Sequence, residues 1–242
     1  MNLPLPLRLI VAALFAVGTV SSAQAANYVE IDGANVKFFY DADFWGVNSA
    51  TVTGNSISFA ISDDFEVFAK VSTGSGSGGA GHVDQTSAGV FAVAKNGYSV
   101  SSEVTAGAKS SYSFTTGFGS SSASVSGNIF GGAYVGGAFD AQQYVDYYYQ
   151  VGNVNSTGAP SSGQNVISAT GGLATSYFSA VGLDTQIGIG ASQGTKGRTD
   201  AALTEVSYAF AVTAVPEPET YAMMIAGLGL VGFAARRRKN TA

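Results

Sequence analysis

The chain has 242 residues, of which 11% are charged and 12% aromatic; Gly accounts for 32 and Ser plus Thr for 47. That aromatic content is too high for a disordered chain, the glycines follow no three-residue period, and a helical bundle's Ala/Glu/Lys/Leu patterning is missing. With no Cys and formal net charge −5, disulfides, thiolate metal sites, iron–sulfur clusters and a Cys nucleophile are excluded.

The chain opens on a leader. Arg8 supplies a positive start, Leu9 to Val20 an apolar run of h-region length, and Ala23-Gln24-Ala25 a small-x-small cleavage site. Residues 1–25 are therefore expected to be a signal peptide, with Ala23 and Ala25 marking the site that signal peptidase cuts. Residues 26–214 are expected to form one exported domain, long enough to bury a sizeable core.

Within that body, short β-branched and aromatic runs recur between Gly/Ser/Asn clusters. Tyr28 to Asp32 and Asn35 to Tyr40 flank Gly33 and predict a hairpin. Ser56 to Ile61 alternates, placing Ile57, Phe59 and Ile61 on one face. Further strands are expected over 65–71, 90–94, 98–105, 111–115, 143–151, 174–181, 185–189 and 203–212. In the last, Thr204, Val206, Tyr208, Phe210 and Val212 form the apolar face. No window carries a long 3.6-residue period, so the fold class is all-β: a single antiparallel β-sandwich or jelly-roll-like domain. The low-complexity segments 72–81, 153–164 and 192–199 read as flexible loops.

The body offers little catalytic equipment. Gly74-x-Gly76-x-x-Gly79 fits a dinucleotide fingerprint, but no helical pattern follows it. His82, the lone histidine, sits beside a Gly run that makes a poor catalytic platform. The body carries six cations and fourteen acids, 6 − 14 = −8, so nucleic acid is not an expected partner. Asp41 with Asp43, and Asp63, Asp64 with Glu66, lie at strand ends; oxygen-rich clusters suit Ca²⁺, although neither cluster matches the EF-hand spacing and ordinary turn chemistry also accounts for them. No resident cofactor is expected. If 143–151 is a strand, Tyr144, Asp146 and Tyr148 share the face opposite the core, where tyrosine rings beside a carboxylate can stack on a sugar and hydrogen-bond its hydroxyls. The bland alternative is that both faces are buried between packed layers. A hydrolase would need two carboxylates at a set separation, which sequence does not supply.

The C-terminus has three parts: Val215-Pro216-Glu217-Pro218, an apolar run from Tyr221 to Ala235, and the cluster Arg236-Arg237-Arg238-Lys239. As a helix, fifteen residues rise about 22 Å, a short span of a roughly 30 Å hydrocarbon core, with Arg and Lys snorkelling at one end and kept cytoplasmic. The two prolines forbid helix around Glu217 and hold the chain extended, in the form a membrane-embedded protease can grip.

This order of parts over 215–242 resembles the PEP-CTERM sorting signal, and the stretch from Val36 to Phe59 resembles the opening of other bodies that carry it. The resemblance implies a substrate of exosortase, a transpeptidase-like membrane enzyme of Gram-negative bacteria that make exopolysaccharide. It implies recognition of Pro216, Glu217 and Pro218, transient residence in the inner membrane, cleavage near the motif and passage to the cell surface or matrix. The function expected is a non-enzymatic structural or adhesive component of an exopolysaccharide biofilm; the alternatives are a carbohydrate-binding module for that polysaccharide and an Asp/Glu hydrolase.

Overall fold

A computed structural model describes residues 27–62, 65–136, 138–145, 147–215 and 222–231, and among these gives the backbone alone at 88, 138, 141–145, 147 and 148. The chain is mostly strand. In order come β1 (Tyr28–Asp32), β2 (Val36–Asp41), the short helix α1 (Ala42–Trp45), β3 (Ala50–Thr53), β4 (Ser56–Ala60) and β5 (Glu66–Ala94). Then follow β6 (Tyr98–Phe114), β7 (Gly119–Val135), β8 (Ala138–Val145), β9 (Tyr147–Thr157), β10 (Ser161–Gly171), β11 (Tyr177–Phe178) and β12 (Ala180–Ala214). A second helix, α2, spans 222–231.

All twelve strands join one large antiparallel sheet. The expected hairpin is present: Tyr28 to Asp32 pair with Asp41 to Lys37, and the Gly33 N–H donates to the Val36 carbonyl. The 35-residue β12 is the spine of the sheet. One of its edges pairs with β5 and then β4; the other pairs with β7 along 180–193 and with β6 along 199–214.

The sheet folds over on itself. Thr185 and Tyr208 lie on the same strand 23 residues apart, a separation of about 75 Å if extended, yet their hydroxyls are 2.9 Å apart. Phe65, just before β5, and His82, within it, likewise meet edge to face with ring centroids 4.5 Å apart. Both strands turn the same corner, marked by register shifts at Gln193/Thr195 and Thr195/Gly197. Bulges of this kind are the means by which a strand passes from one layer to another. The β6–β7 and β9–β10 connections, 115–118 and 158–160, fall at the same corner.

The two leaves enclose the core. Phe38 of β2 packs against Phe210 of β12, Tyr40 against Phe59 of β4, and Trp45 of α1 stacks on Phe59 with centroids 4.0 Å apart. Asp41 caps α1 by accepting from the Asp43 N–H, and the Trp45 indole donates to the Gly89 carbonyl, so the ring is buried with its polar atom satisfied. Ile57 and Phe59 are buried as the alternation requires, and so are Val206, Tyr208 and Phe210. Leu203, on the opposite parity, is buried too, because a bulge between Leu203 and Glu205 reverses the phase of the strand.

Three expected loops are strands instead. Residues 72–81 belong to β5, where Gly78 to Gly81 pair with Gln193 to Gly190; 192–199 belong to β12; and 153–164 run into β9 and β10 apart from the turn at 158–160. His82 is accordingly an exposed strand residue. The physical reason is pairing. Gly and Ser are weak strand formers in isolation, but here each Gly/Ser stretch lies beside a partner strand whose inward side chains reach the core. Among the described residues, every member of the buried core cluster lies between Val36 and Phe210, and Val29, Ile31 and Val212 pack against it.

Candidate functional site

The sorting segment begins where the sheet ends. Ala214 closes β12, and the Val215 N–H makes one further bond, 2.8 Å to the Gly97 carbonyl. The next residue is Pro216, which has no N–H with which to continue a ladder. Helix α2 is exposed along its length, with Met223, Ile225, Leu228, Leu230 and Val231 all about two-thirds or more open to solvent. Ten residues of helix rise about 15 Å, and among the described residues no helix is long and apolar enough to cross a membrane. Pro216, Glu217, Pro218, Tyr221, residues 232–235 at the end of the expected Tyr221–Ala235 span, and the cluster Arg236, Arg237, Arg238 and Lys239 lie outside the described residues. So does the leader with Ala23 and Ala25.

Of the expected sugar-contact residues, Asp146 lies outside the described residues. Tyr144 and Tyr148 are placed in β8 and β9 by their backbones only. Their neighbour Tyr149 is buried and accounts for one core position of this run. Its hydroxyl donates to the Asp184 carbonyl at 2.7 Å and lies 3.2 Å from both the Tyr208 hydroxyl and Thr185 Oγ1. Complete burial pushes the Tyr208 phenol well above its ordinary range, with the neighbouring Tyr149 adding to the rise.

The acidic residues do not gather. Asp41 is the cap of α1 and also accepts from the Thr86 hydroxyl at 3.3 Å; Asp43 is exposed beside it, and Glu66 stands on β5. Asp63 and Asp64 lie outside the described residues. Among the described residues, no three His, Cys, Asp or Glu side chains are placed to hold a metal ion.

A feature that sequence reading missed lies on the outer face near the corner. There β5, β12 and β6 run side by side, with Phe68 opposite Asp200 and Asp200 opposite Ser113. Glu66, Phe68, Ser113, Arg198 and Asp200 line a cleft of about 550 Å³. Arg198 also lines an adjoining cleft of about 390 Å³ with Lys70, Ser72, Thr115, Thr116 and Lys196. The Arg198 guanidinium lies 4.2 Å from the centre of the half-exposed Phe68 ring, and its Nε donates to Asp200 Oδ1 at 2.7 Å. That carboxylate holds the guanidinium above its ordinary value. The Thr115 hydroxyl accepts from the Arg198 N–H and donates to the Arg198 carbonyl, so side chain and strand are both fixed. No periodic pattern signals this site. Its members come from three segments 40 to 130 positions apart, and the one that supplies Lys196 and Arg198 reads as a loop.

A family model described as the PEP-CTERM protein-sorting motif matches residues 214–239. No curated protein matches the chain. The match begins at Ala214, the last residue of β12, so the matched segment and the sheet share that one residue. The chain thus carries a PEP-CTERM sorting motif at its C-terminus, the mark of an exported protein that exosortase processes at the membrane.

Proposed function

We propose that the protein is a non-enzymatic structural or adhesive component of a Gram-negative exopolysaccharide matrix. The leader delivers the chain for cleavage by signal peptidase, the tail holds it at the inner membrane, and exosortase recognises Pro216, Glu217 and Pro218. The folded body is then released to the cell surface or matrix. The observation that carries this reading is the position of the motif. Among the described residues, every member of the buried core cluster lies before Val215, and the matched motif begins at Ala214. A cut near Pro216 therefore frees an intact domain. Action by binding is supported by the composition, one His and no Cys, which leaves few nucleophiles or bases to build a catalytic centre.

The test is intact mass and cell fractionation of the native protein beside a Pro216→Ala/Glu217→Ala/Pro218→Ala variant. The native protein is expected outside the cell without the Arg-rich tail, and the variant in the inner membrane with it. If both keep the tail and stay in the membrane, the tail is an anchor only and the matrix role is lost with it.

A further inference from the structure

The body is acidic, yet its cations are unevenly used. Lys37 pairs with Glu30, Lys95 with Asp32 at 3.1 Å, and Lys109 with Glu205 at 2.7 Å. Arg198 pairs with Asp200. Lys70 and Lys196 make no ion pair among the described residues, and both line the cleft that Arg198 shares. Lys70 and Arg198 are moreover direct cross-strand partners. Like charges opposite one another destabilise a sheet, and a single carboxylate, Asp200, offsets only part of this. Such an arrangement is favoured when an anion sits between the cations. Beside them, the Phe68 ring offers an apolar edge, and Glu66 bounds the far end of the larger cleft.

We propose that this corner cleft binds an acidic polysaccharide through its uronate carboxylates. Lys70 and Lys196 are the point charges. Arg198, fixed by Asp200, Phe68 and Thr115, presents its remaining N–H groups as a preorganised donor. Ser72 also lines the smaller cleft and adds a hydroxyl-bearing side chain for sugar hydroxyls. The open clefts on a sheet surface suit a chain that passes across them rather than a small molecule that must be enclosed. A duplex nucleic acid fits less well, because the surrounding body carries −8 and three cations are too few to offset its closely spaced phosphates. This inference rests on the matrix reading above and names the partner within it.

The test uses the body, residues 26–215, which contains the whole core and omits the basic tail that would bind polyanions on its own account. Binding to immobilised polygalacturonate is measured beside neutral dextran and duplex DNA, at 20 and at 200 mM salt. Lys70→Gln/Lys196→Gln is compared with Lys37→Gln/Lys109→Gln, which changes the net charge equally but removes only cations already paired with carboxylates. Expected is salt-sensitive binding to polygalacturonate over dextran, weakened about tenfold or more in the first variant and less than about twofold in the second. Equal losses in the two variants, equal binding to dextran, preference for DNA, or no binding to polygalacturonate would each overturn the inference. All four leave the sorting experiment untouched, because that experiment reads location and mass. Far-UV circular dichroism of both variants confirms that the fold is kept.

Discussion

At the scale of single residues, the polar atoms of the core are as constrained as its rings. Tyr208 is wholly buried against Trp45 and Tyr149, and its hydroxyl meets Thr185 Oγ1 at 2.9 Å. Removing that hydroxyl deletes its buried bonds to Thr185 Oγ1 and to the Tyr149 hydroxyl, while Tyr149 keeps its donation to the Asp184 carbonyl. Tyr208→Phe is therefore expected to lose about 1–2 kcal/mol near pH 7, a fall in Tm of roughly 2–8 °C for a domain of this size. The pH dependence has a definite sign. The folded phenol stays protonated well above its ordinary value, whereas the unfolded phenol ionises near pH 10. Its contribution is thus fully present below pH 10 and is lost as pH rises beyond it. Denaturant titrations at pH 7 and pH 11 should show the gap between wild type and variant narrowing at the higher pH. A gap that stays constant would show that the phenol is not held neutral by the fold.

At the scale of elements, legibility followed inward side chains. The β1–β2 hairpin, the alternation of β4 and the apolar face of 204–212 could all be read, because each carries large apolar residues at every second position. The Gly/Ser segments 72–81 and 192–199 could not. Their inward side chains are small or polar, and the pairing between them spans more than a hundred positions. The bulge at Leu203/Glu205 hid the other half of the pattern by reversing the strand's phase. The corner itself has one clear steric demand. Gly197 has φ 153°, and a Cβ there would overlap the Thr116 carbonyl oxygen, with Gln193 Nε2 also too close at 2.7 Å. That amide cannot easily give way, since it donates to the Thr116 and Thr195 carbonyls while Gln193 Oε1 accepts from Thr199. Gly197→Ala is expected to cost about 2 kcal/mol or more, read as a lowered denaturation midpoint. Gly136→Ala, also at positive φ but with open space around its Cβ, should cost about 1 kcal/mol. Equal costs would mean that the corner is not tightly packed.

At the scale of the whole molecule, the buried core of the described residues lies within Val36–Phe210, while the sorting motif starts at Ala214, the last residue of β12. The tail's three-part order was legible because its signals are local: two prolines, an apolar run and a block of arginines within 28 positions. The corner cleft was not, because it exists only once β5, β12 and β6 are side by side. The division has a measurable consequence. Helix α2 exposes Met223, Met224, Ile225, Leu228, Leu230 and Val231. An apolar surface of that kind in water drives association unless lipid or another protein covers it. The body's last tie to the tail is the Val215 N–H bond to Gly97. A chain ending at Val215 keeps that bond and every buried core residue among the described residues, and should unfold within about 2 °C of the full-length protein held in detergent. It should also stay monodisperse without detergent, whereas the full-length chain should need it. Differential scanning fluorimetry and light scattering on the two forms decide the matter. A Tm lowered by much more than this in the shorter form would show that the tail contributes to the folded body, and exosortase cleavage could not then release a stable domain.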